Sequence, residues 1–161
     1  SRGYFFEAYQ EDKMQEILGY KPTFVQDNQS NSSYGVVRGL HMQAGEHAQA
    51  KLVRVVEGAV IDVAVDVRPG SETYGQSVAV ELSADNKRQL FIPRGFLHGF
   101  SVISDKATFF YKCDNGYNKA SEDGVHPLDQ EIGIDWGIPA EKMIISDKDL
   151  EAQSFETFRN K

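Results

Sequence analysis

The chain has 161 residues, of which 40% are hydrophobic and 25% are charged, with a formal net charge of −7. This length suits one domain with a sizeable core, so we predict a single domain over residues 1–161. The acidic balance disfavours nonspecific nucleic-acid binding, and no apolar run is long enough to span a bilayer, so we expect neither nucleic-acid nor membrane partners. Cys113 is the only cysteine, which excludes an intrachain disulfide and favours a reducing cytoplasm.

The predicted elements are mostly short strands. Residues 4–8 are strand-like, and residues 12–18 are predicted to form a short helix. Strands are then predicted, in chain order, at 23–25, 36–40, 51–56, 59–67, 78–82, 89–92, 100–103 and 108–111. One or two further helical turns are expected after Ile138.

The spacing of these strands predicts the fold class. Residues 59–67 show the two-residue hydrophobic period of a strand, and turn residues such as Glu57-Gly58 and Arg68-Pro69-Gly70 separate the runs. Many short strands with regular breaks favour an all-β antiparallel sandwich or barrel. We expect only a few short helices, mainly near the C-terminus.

The histidine spacing bears on metal binding. Small barrels of the cupin type usually bind a metal through a His-x-His pair, a nearby Glu and a later His. Here the corresponding stretch is His41-Met42-Gln43, and Met and Gln are poor ligands for a divalent ion. Residues 93–100 retain the later half of the barrel pattern. The sequence therefore predicts a cupin-like barrel without a bound metal.

Three cationic or titratable side chains are close in sequence. Arg38 precedes His41 by three residues, and Lys51 begins the next apolar run. Odd spacing on an ideal strand would point Arg38 and His41 to opposite sides, so a bulge at Gly39 is needed to bring them together. Because buried cations without anions are unfavourable, such a cluster predicts an anionic ligand. The alternative is a solvated rim on which each cation pairs with a surface carboxylate.

A series of segments, taken in order, resembles the dTDP-4-dehydrorhamnose 3,5-epimerase family. These segments are 24–30, 37–43, 50–55, 62–66, 92–100, 111–113 and 133–136. The resemblance extends from Arg2 to Asp149 and implies a cupin-like antiparallel β-barrel, or jelly roll. It also implies an isomerase that epimerises dTDP-4-dehydro-6-deoxy-D-glucose at C3 and C5 to dTDP-4-dehydro-L-rhamnose, without a metal or other cofactor.

The resemblance implies roles for individual residues. His41 corresponds to the catalytic base, Tyr111 to the proton donor, Asp149 to the carboxylate that orients the base, and Lys51 to the lysine near the sugar carbonyl. Substrate contacts are implied for Arg2, Glu7, Gln26, Asp27, Asn28, Arg38, Lys51, His98, Tyr117, Glu122 and Lys148. From the local pattern alone, Tyr111 would be interpreted as a core aromatic and Asp149 as a polar tail residue.

Other functions and an assembly remain open at this stage. Met42 stands where the family usually has an aromatic residue, so an epimerase acting at C3 or C5 alone, or a 3,4-ketoisomerase, is an alternative. A non-catalytic nucleotide-sugar-binding barrel is another. The resemblance further implies a homodimer with exchanged N-terminal strands, in which Arg2 and Glu7 complete the partner's site, and a place in dTDP-L-rhamnose supply for polysaccharide biosynthesis.

Overall fold

The computed structural model describes residues 2–161 and consists mainly of strands. The elements are α1 (Glu11–Leu18), β1 (Gln26–Ser33), β2 (Val36–Gln43), β3 (Lys51–Glu57), β4 (Ala59–Asp66), β5 (Ser77–Ser83), β6 (Gln89–Ile92), β7 (Phe96–Val102), β8 (Lys106–Cys113), β9 (Glu122–Gly124), β10 (Ile144–Ile145), α2 (Asp147–Leu150) and α3 (Phe155–Arg159). The predicted helix at 12–18 is confirmed by α1, and the predicted turns after Ile138 by α2 and α3.

The strands form two sheets. One has the order β1-β8-β3-β6, and the other has the order β10-β2-β7-β4-β5, with β9 also paired to β2. Every pairing is antiparallel except that of β10 with β2. This arrangement confirms the predicted all-β, jelly-roll or cupin-like fold.

The sheets face each other across an apolar core. Val53 and Phe109 of the four-stranded sheet pack with Val60, Leu82 and Phe100 of the six-stranded sheet. Phe100 and Phe109 stack with ring centroids 4.2 Å apart. Burial of these side chains is the main force that holds the sheets together.

The six-stranded sheet is covered on its other face as well. Val37, Val63 and Val65 pack there against Trp136 and Phe155 from the C-terminal segment. Because both faces are buried, β4 is buried at almost every position rather than at alternate ones. This second layer also holds the C-terminal segment, including α2, against β2.

The structure corrects the prediction for the first strand. A strand was predicted at 23–25, whereas β1 runs over Gln26–Ser33 and pairs with β8 along its whole length. Its sequence, QDNQSNSS, lacks the apolar alternation that sequence analysis relies on. Residues 4–8, predicted as strand-like, pair with no strand in the single chain. Among residues 2–161 there is no helix with the length and apolar character needed to cross a membrane.

Candidate active site

A cavity of about 440 Å³ opens between the two sheets. Strands β1, β3 and β8 form one wall, β2 and β7 form the opposite wall, and residues at the start of α2 lie at the edge. The polar side chains that reach the cavity from these strands include Asn28, Arg38, His41, Lys51, His98 and Tyr111. The fold therefore collects in one place residues that are as much as 121 positions apart in sequence, from Asn28 to Asp149.

A bulge in β2 gives Arg38 and His41 access to the same cavity. The β2–β7 register shifts between these two residues, as their odd spacing requires. Gly39 within the bulge has a φ of +125°, a conformation that favours glycine. A Cβ atom at this position would lie 2.6 Å from the Cα of Gly99. Gly39 thus permits both the backbone conformation and the close approach of β7.

His41 is paired with a buried carboxylate. Its Nε2 lies 2.6 Å from Oδ1 of Asp149, and the Gly39 N–H donates to the other carboxylate oxygen at 3.3 Å. Burial acts to raise the pKa of Asp149, but the hydrogen bond and charge of His41 and the Gly39 N–H outweigh it and hold that pKa below its usual value. Asp149 is therefore an anion that holds one imidazole nitrogen, which leaves Nδ1 of His41 free for chemistry.

Tyr111 and Lys51 lie on the opposite wall. The Lys51 Nζ is 5.9 Å from the centroid of the Tyr111 ring. Burial lowers the pKa of the Lys51 ammonium, although the nearby Cys113 and Asp62 act in the opposite direction. Burial also raises the pKa of the Tyr111 phenol, so this side chain stays protonated well above neutral pH. The site thus opposes a base on one wall with a phenol and an ammonium on the other.

His98 lies beside His41 and has its own carboxylate. Its Nε2 is 2.8 Å from Oδ1 of Asp62, and both side chains are buried. Burial lowers the pKa of His98, while Asp62 acts to raise it. No role was predicted for Asp62 from the sequence. The signal available was a carboxylate within an apolar strand, and it becomes informative only once both faces of β4 are known to be buried.

Five further predicted contacts lie at the mouth of the cavity or beside it. Arg38 donates to the Ser32 hydroxyl through Nε and Nη2 at 3.2 and 3.1 Å. Lys148 forms an ion pair of 2.9 Å with Glu122 beside the cavity. Tyr117 is exposed and, like Gln26, stands outside the cavity lining, although its backbone N–H donates to the Gln26 side chain at 3.0 Å.

Three predicted contacts are not brought to the cavity in the single chain. Asp27 points to the opposite face of β1 from Asn28 and pairs with Lys112 at 3.0 Å. Glu7 pairs with Lys13, and Arg2 is exposed in the N-terminal segment. The outward direction of Asp27 follows from the two-residue period of a strand, once β1 is known to begin at Gln26.

The cavity carries positive charge with few compensating anions. Within residues 2–161, neither Arg38 nor Lys51 has a carboxylate oxygen within 4.0 Å, in contrast to the alternative of a solvated rim of paired charges. The described residues also contain no cluster of three or more His, Cys, Asp or Glu side chains with the geometry of a metal site. The charge distribution suits an anionic ligand.

The chain is similar to known proteins over nearly its whole length. Residues 1–157 match the family model described as dTDP-4-dehydrorhamnose 3,5-epimerase. A Shigella flexneri protein of that name is 51% identical over 154 residues, which cover 96% of this chain and 84% of the relative.

Solved structures of similar proteins superimpose closely. The dTDP-4-dehydrorhamnose 3,5-epimerase from Elizabethkingia anophelis is 57% identical, with a TM-score of 0.94 over 97% of this chain and 85% of that protein. A Legionella pneumophila 3,5-epimerase in complex with dTDP-4-keto-L-rhamnose is 49% identical, with a TM-score of 0.92 over 96% of this chain and 81% of that protein. The chain belongs to the dTDP-4-dehydrorhamnose 3,5-epimerase family.

Proposed function

We propose that the chain epimerises dTDP-4-dehydro-6-deoxy-D-glucose at C3 and C5 to dTDP-4-dehydro-L-rhamnose. The observation that carries the proposal is the placement of His41 and Tyr111 on opposite walls of one cavity. Inversion at carbon requires removal of a proton from one face and delivery to the other, so two groups on facing walls suit this reaction. Family membership and the complex of the Legionella relative support the choice of a dTDP-4-keto sugar.

In the proposed reaction, His41 removes the proton next to the ketone. The C–H bond breaks, the proton moves to the free Nδ1, and the electron pair forms the enolate with negative charge on the 4-oxygen. Asp149 holds Nε2 and stabilises the imidazolium. Tyr111 then donates its phenolic proton to the same carbon from the opposite face. Exchange of one proton each with solvent restores the imidazole and the phenol.

Lys51 is proposed to stabilise the enolate oxygen. An ammonium in a low-dielectric cavity, with no carboxylate partner among residues 2–161, interacts strongly with charge that develops on a substrate atom. His98 lies beside it and is the second proposed contact to the sugar. These contacts lower the free energy of the enolate relative to the ketone, which is the term that makes proton removal possible near neutral pH.

The nucleotide is proposed to bind at the mouth of the cavity. The Arg38 guanidinium suits diphosphate oxygens, and Tyr117 offers an exposed ring for stacking on the nucleobase. Lys148 and Glu122 form the edge next to Tyr117 and His41, and Gln26 and Asn28 provide amide groups from β1. No role is assigned to the Asp27 side chain, because it faces away from the cavity.

The test is proton exchange followed by NMR in deuterated water. Wild type is expected to introduce deuterium from solvent at both C3 and C5 of dTDP-4-dehydro-6-deoxy-D-glucose, and His41→Ala is expected to abolish both. Tyr111→Phe keeps the base, so it is expected to exchange deuterium at a reduced rate without forming the inverted product. Exchange at one carbon alone would identify a single-site epimerase. Absence of exchange by wild type would overturn the assigned activity.

The reaction is proposed to need no metal, since an imidazole, a phenol and an ammonium supply every proton transfer and charge contact. Incubation with EDTA, followed by gel filtration into metal-free buffer, is expected to leave the rate unchanged. A loss of activity that one divalent ion restores would contradict the proposal and favour a metal-dependent member of the same fold class.

We propose that residues 1–161 form one domain and that two chains assemble as a homodimer with exchanged N-terminal segments. The protein is proposed to act in the cytoplasm. Phe5 is 97% exposed and Tyr4 is 71% exposed, while the segment pairs with no strand of its own chain. In the dimer, Arg2 and Glu7 would reach the partner's cavity.

Mixing inactive Glu7→Ala chains with inactive His41→Ala chains is expected to restore activity in hybrid dimers. Failure to restore activity in verified hybrids would contradict the exchange.

A further inference from the structure

A buried glutamine holds the segment that carries Tyr117. Gln43, at the end of β2, is 5% exposed. Its side-chain nitrogen donates to the carbonyl oxygens of His47 at 2.7 Å and Gly116 at 3.1 Å, and its side-chain oxygen accepts from the Asn118 N–H at 2.7 Å. Gln43 therefore binds the residues immediately before and after Tyr117, and all of its amide protons are used.

Further hydrogen bonds hold the same segment from its other sides. The Tyr117 N–H donates to Gln26 at 3.0 Å, and the Asn115 side chain donates to the Glu46 carbonyl at 2.9 Å. Gln49 donates to the Asn115 carbonyl at 2.8 Å. Tyr117 is nevertheless 58% exposed, so these hydrogen bonds, and not core packing, are what hold its backbone. A rigidly held and exposed aromatic ring is suited to receive a planar ligand with little loss of conformational entropy.

We propose that Gln43 is a positioning residue for the nucleotide, which acts by holding residues 115–118 so that the Tyr117 ring is presented to the nucleobase. This inference rests on the proposed function, in which Tyr117 stacks on the base. Gln43 itself contacts no substrate atom in this proposal. Its effect passes entirely through the backbone on either side of Tyr117.

The position of Gln43 also links the two ends of the substrate. It follows His41 by two residues on β2, and side chains two apart on a strand lie on the same face. One strand thus carries the catalytic base and the anchor of the nucleobase platform. Because both are fixed to the same backbone, the distance between the reacting carbon and the stacked base does not depend on the conformation of a free loop.

The first experiment compares two ligands with Gln43→Met, which keeps the length of the side chain and removes its hydrogen bonds. Isothermal titration is expected to show that the Kd of dTDP rises by about tenfold, as expected when one well-placed contact is disordered. The Kd of inorganic pyrophosphate, which has no base, is expected to stay within about twofold. In the epimerase assay, KM should rise by a similar factor while kcat falls much less.

The second experiment tests the route of the effect. In a Tyr117→Ala background the platform is absent, so adding Gln43→Met is expected to change the Kd of dTDP no further. Because Gln43 is buried, its replacement could reduce the folded fraction, which thermal unfolding will measure. Asn115→Ala offers a second variant at a less buried position and should weaken dTDP binding in the same direction by a smaller factor.

The outcomes separate this inference from the proposed function. Wild-type affinity for dTDP in folded Gln43→Met and Asn115→Ala would overturn the positioning role and leave the epimerase proposal intact. Equal weakening of dTDP and pyrophosphate would also overturn it, because the effect would then be general to the cavity. Failure of the wild-type protein itself to bind dTDP would instead overturn the proposed function.

Discussion

His41 and His98 are direct cross-strand partners on β2 and β7, yet each is bound to a different carboxylate. Asp149 binds His41 from the C-terminal segment, and Asp62 binds His98 from β4. The two pairs differ in one respect. Asp149 accepts a further hydrogen bond from Gly39, whereas Oδ2 of Asp62 is buried with no hydrogen-bond partner in the described part of the chain.

Asp62→Asn tests what the second carboxylate does. The charge and hydrogen bond of Asp62 raise the pKa of His98 against the larger effect of burial, so removal of the charge is expected to lower that pKa further. Nitrogen-15 NMR of labelled histidine will follow His98 during a pH titration. We expect kcat to fall by about tenfold, since in the proposed reaction Asp62 would act on the substrate only through His98.

A matched control separates this effect from general damage to the cavity. Ser101, on β7, is fully buried like Asp62. Its hydroxyl, however, donates to the Trp136 carbonyl on the far side of the sheet. Ser101→Ala is expected to lower stability without a change in the His98 titration. If Asp62→Asn left both the His98 titration and kcat unchanged, Asp62 would have no part in the reaction.

The pH dependence of activity should be limited on the alkaline side by Lys51 rather than by Tyr111. Burial lowers the pKa of the ammonium and raises that of the phenol, so we expect Lys51 to lose its proton before Tyr111 as the pH increases. Loss of that proton would remove the cation that is proposed to stabilise the enolate. The alkaline limb of kcat/KM, which reports on the free enzyme, is therefore expected to follow Lys51.

Two variants check this assignment. Lys51→Arg keeps a cation that does not deprotonate, so the alkaline limb should move to higher pH even though the rate falls. For Tyr111→Phe, which is expected to form no inverted product, the profile is that of deuterium exchange. The exchange rate should fall by about 100-fold or more while the limb stays in place. The reverse pattern, in which the limb persists in Lys51→Arg and disappears in Tyr111→Phe, would assign it to the phenol.

Some features of the site could be predicted from local sequence pattern, whereas others depend on contacts between residues far apart in the chain. The period-two pattern located β4 to within a residue, and the spacing of Arg38 and His41 required the bulge that β2 contains. The pairing of His41 with Asp149 joins residues 108 positions apart, and no local pattern predicts such a contact. Only the family resemblance pointed to Asp149.

The predictions from local sequence pattern failed where a strand faces the polar cavity instead of an apolar core. Strand β1 was misplaced because its inward face meets a polar cavity and its outward face meets solvent, so neither face is apolar. Asp62 was passed over because one carboxylate in an apolar run is ordinarily a solvent-facing residue. Its side chain lies on the same face of β4 as Val60 and Ala64, so its burial depends on the sheet that packs against that face.

Acid stability is expected to depend on Asp66, away from the cavity. Its carboxylate, 2% exposed, accepts hydrogen bonds from Arg68, Ser71 and Thr73. The Arg68 hydrogen bond, with those of the hydroxyls, outweighs burial and holds the pKa of Asp66 far below its usual value. Because the folded-state pKa is depressed, the contribution to stability is fully present above the unfolded-state pKa of about 3.9 and declines as the pH falls below it.

Asp66→Asn measures that contribution. The free energy of unfolding in urea at pH 7 is expected to fall by about 2 kcal/mol, and the difference from wild type should shrink at pH 3. Asp85→Asn, at an exposed turn position, serves as the matched control and should change stability by less than about 0.5 kcal/mol at either pH. A deficit for Asp66→Asn that is the same at both pH values would show that the effect is not electrostatic.

Gly39→Ala should damage catalysis through the backbone alone. The alanine would adopt a φ of +125° and place its Cβ 2.6 Å from the Cα of Gly99 and 2.8 Å from the carbonyl oxygen of His98, so β2 and β7 must separate. Separation displaces the Gly39 N–H from Asp149 and alters the approach of His41. We expect a loss of about 2–4 kcal/mol in the free energy of unfolding, and a fall in kcat that persists at temperatures where the variant is fully folded.

Gly70→Ala is the matched control, since Gly70 also has a positive φ of +78° but no atom within 4 Å of the added Cβ. It should lose about 1 kcal/mol and keep its kcat, because it bears the conformational strain without the steric contact. If both variants lost stability equally and neither lost kcat, the close approach of β2 and β7 at Gly39 would not be what places His41.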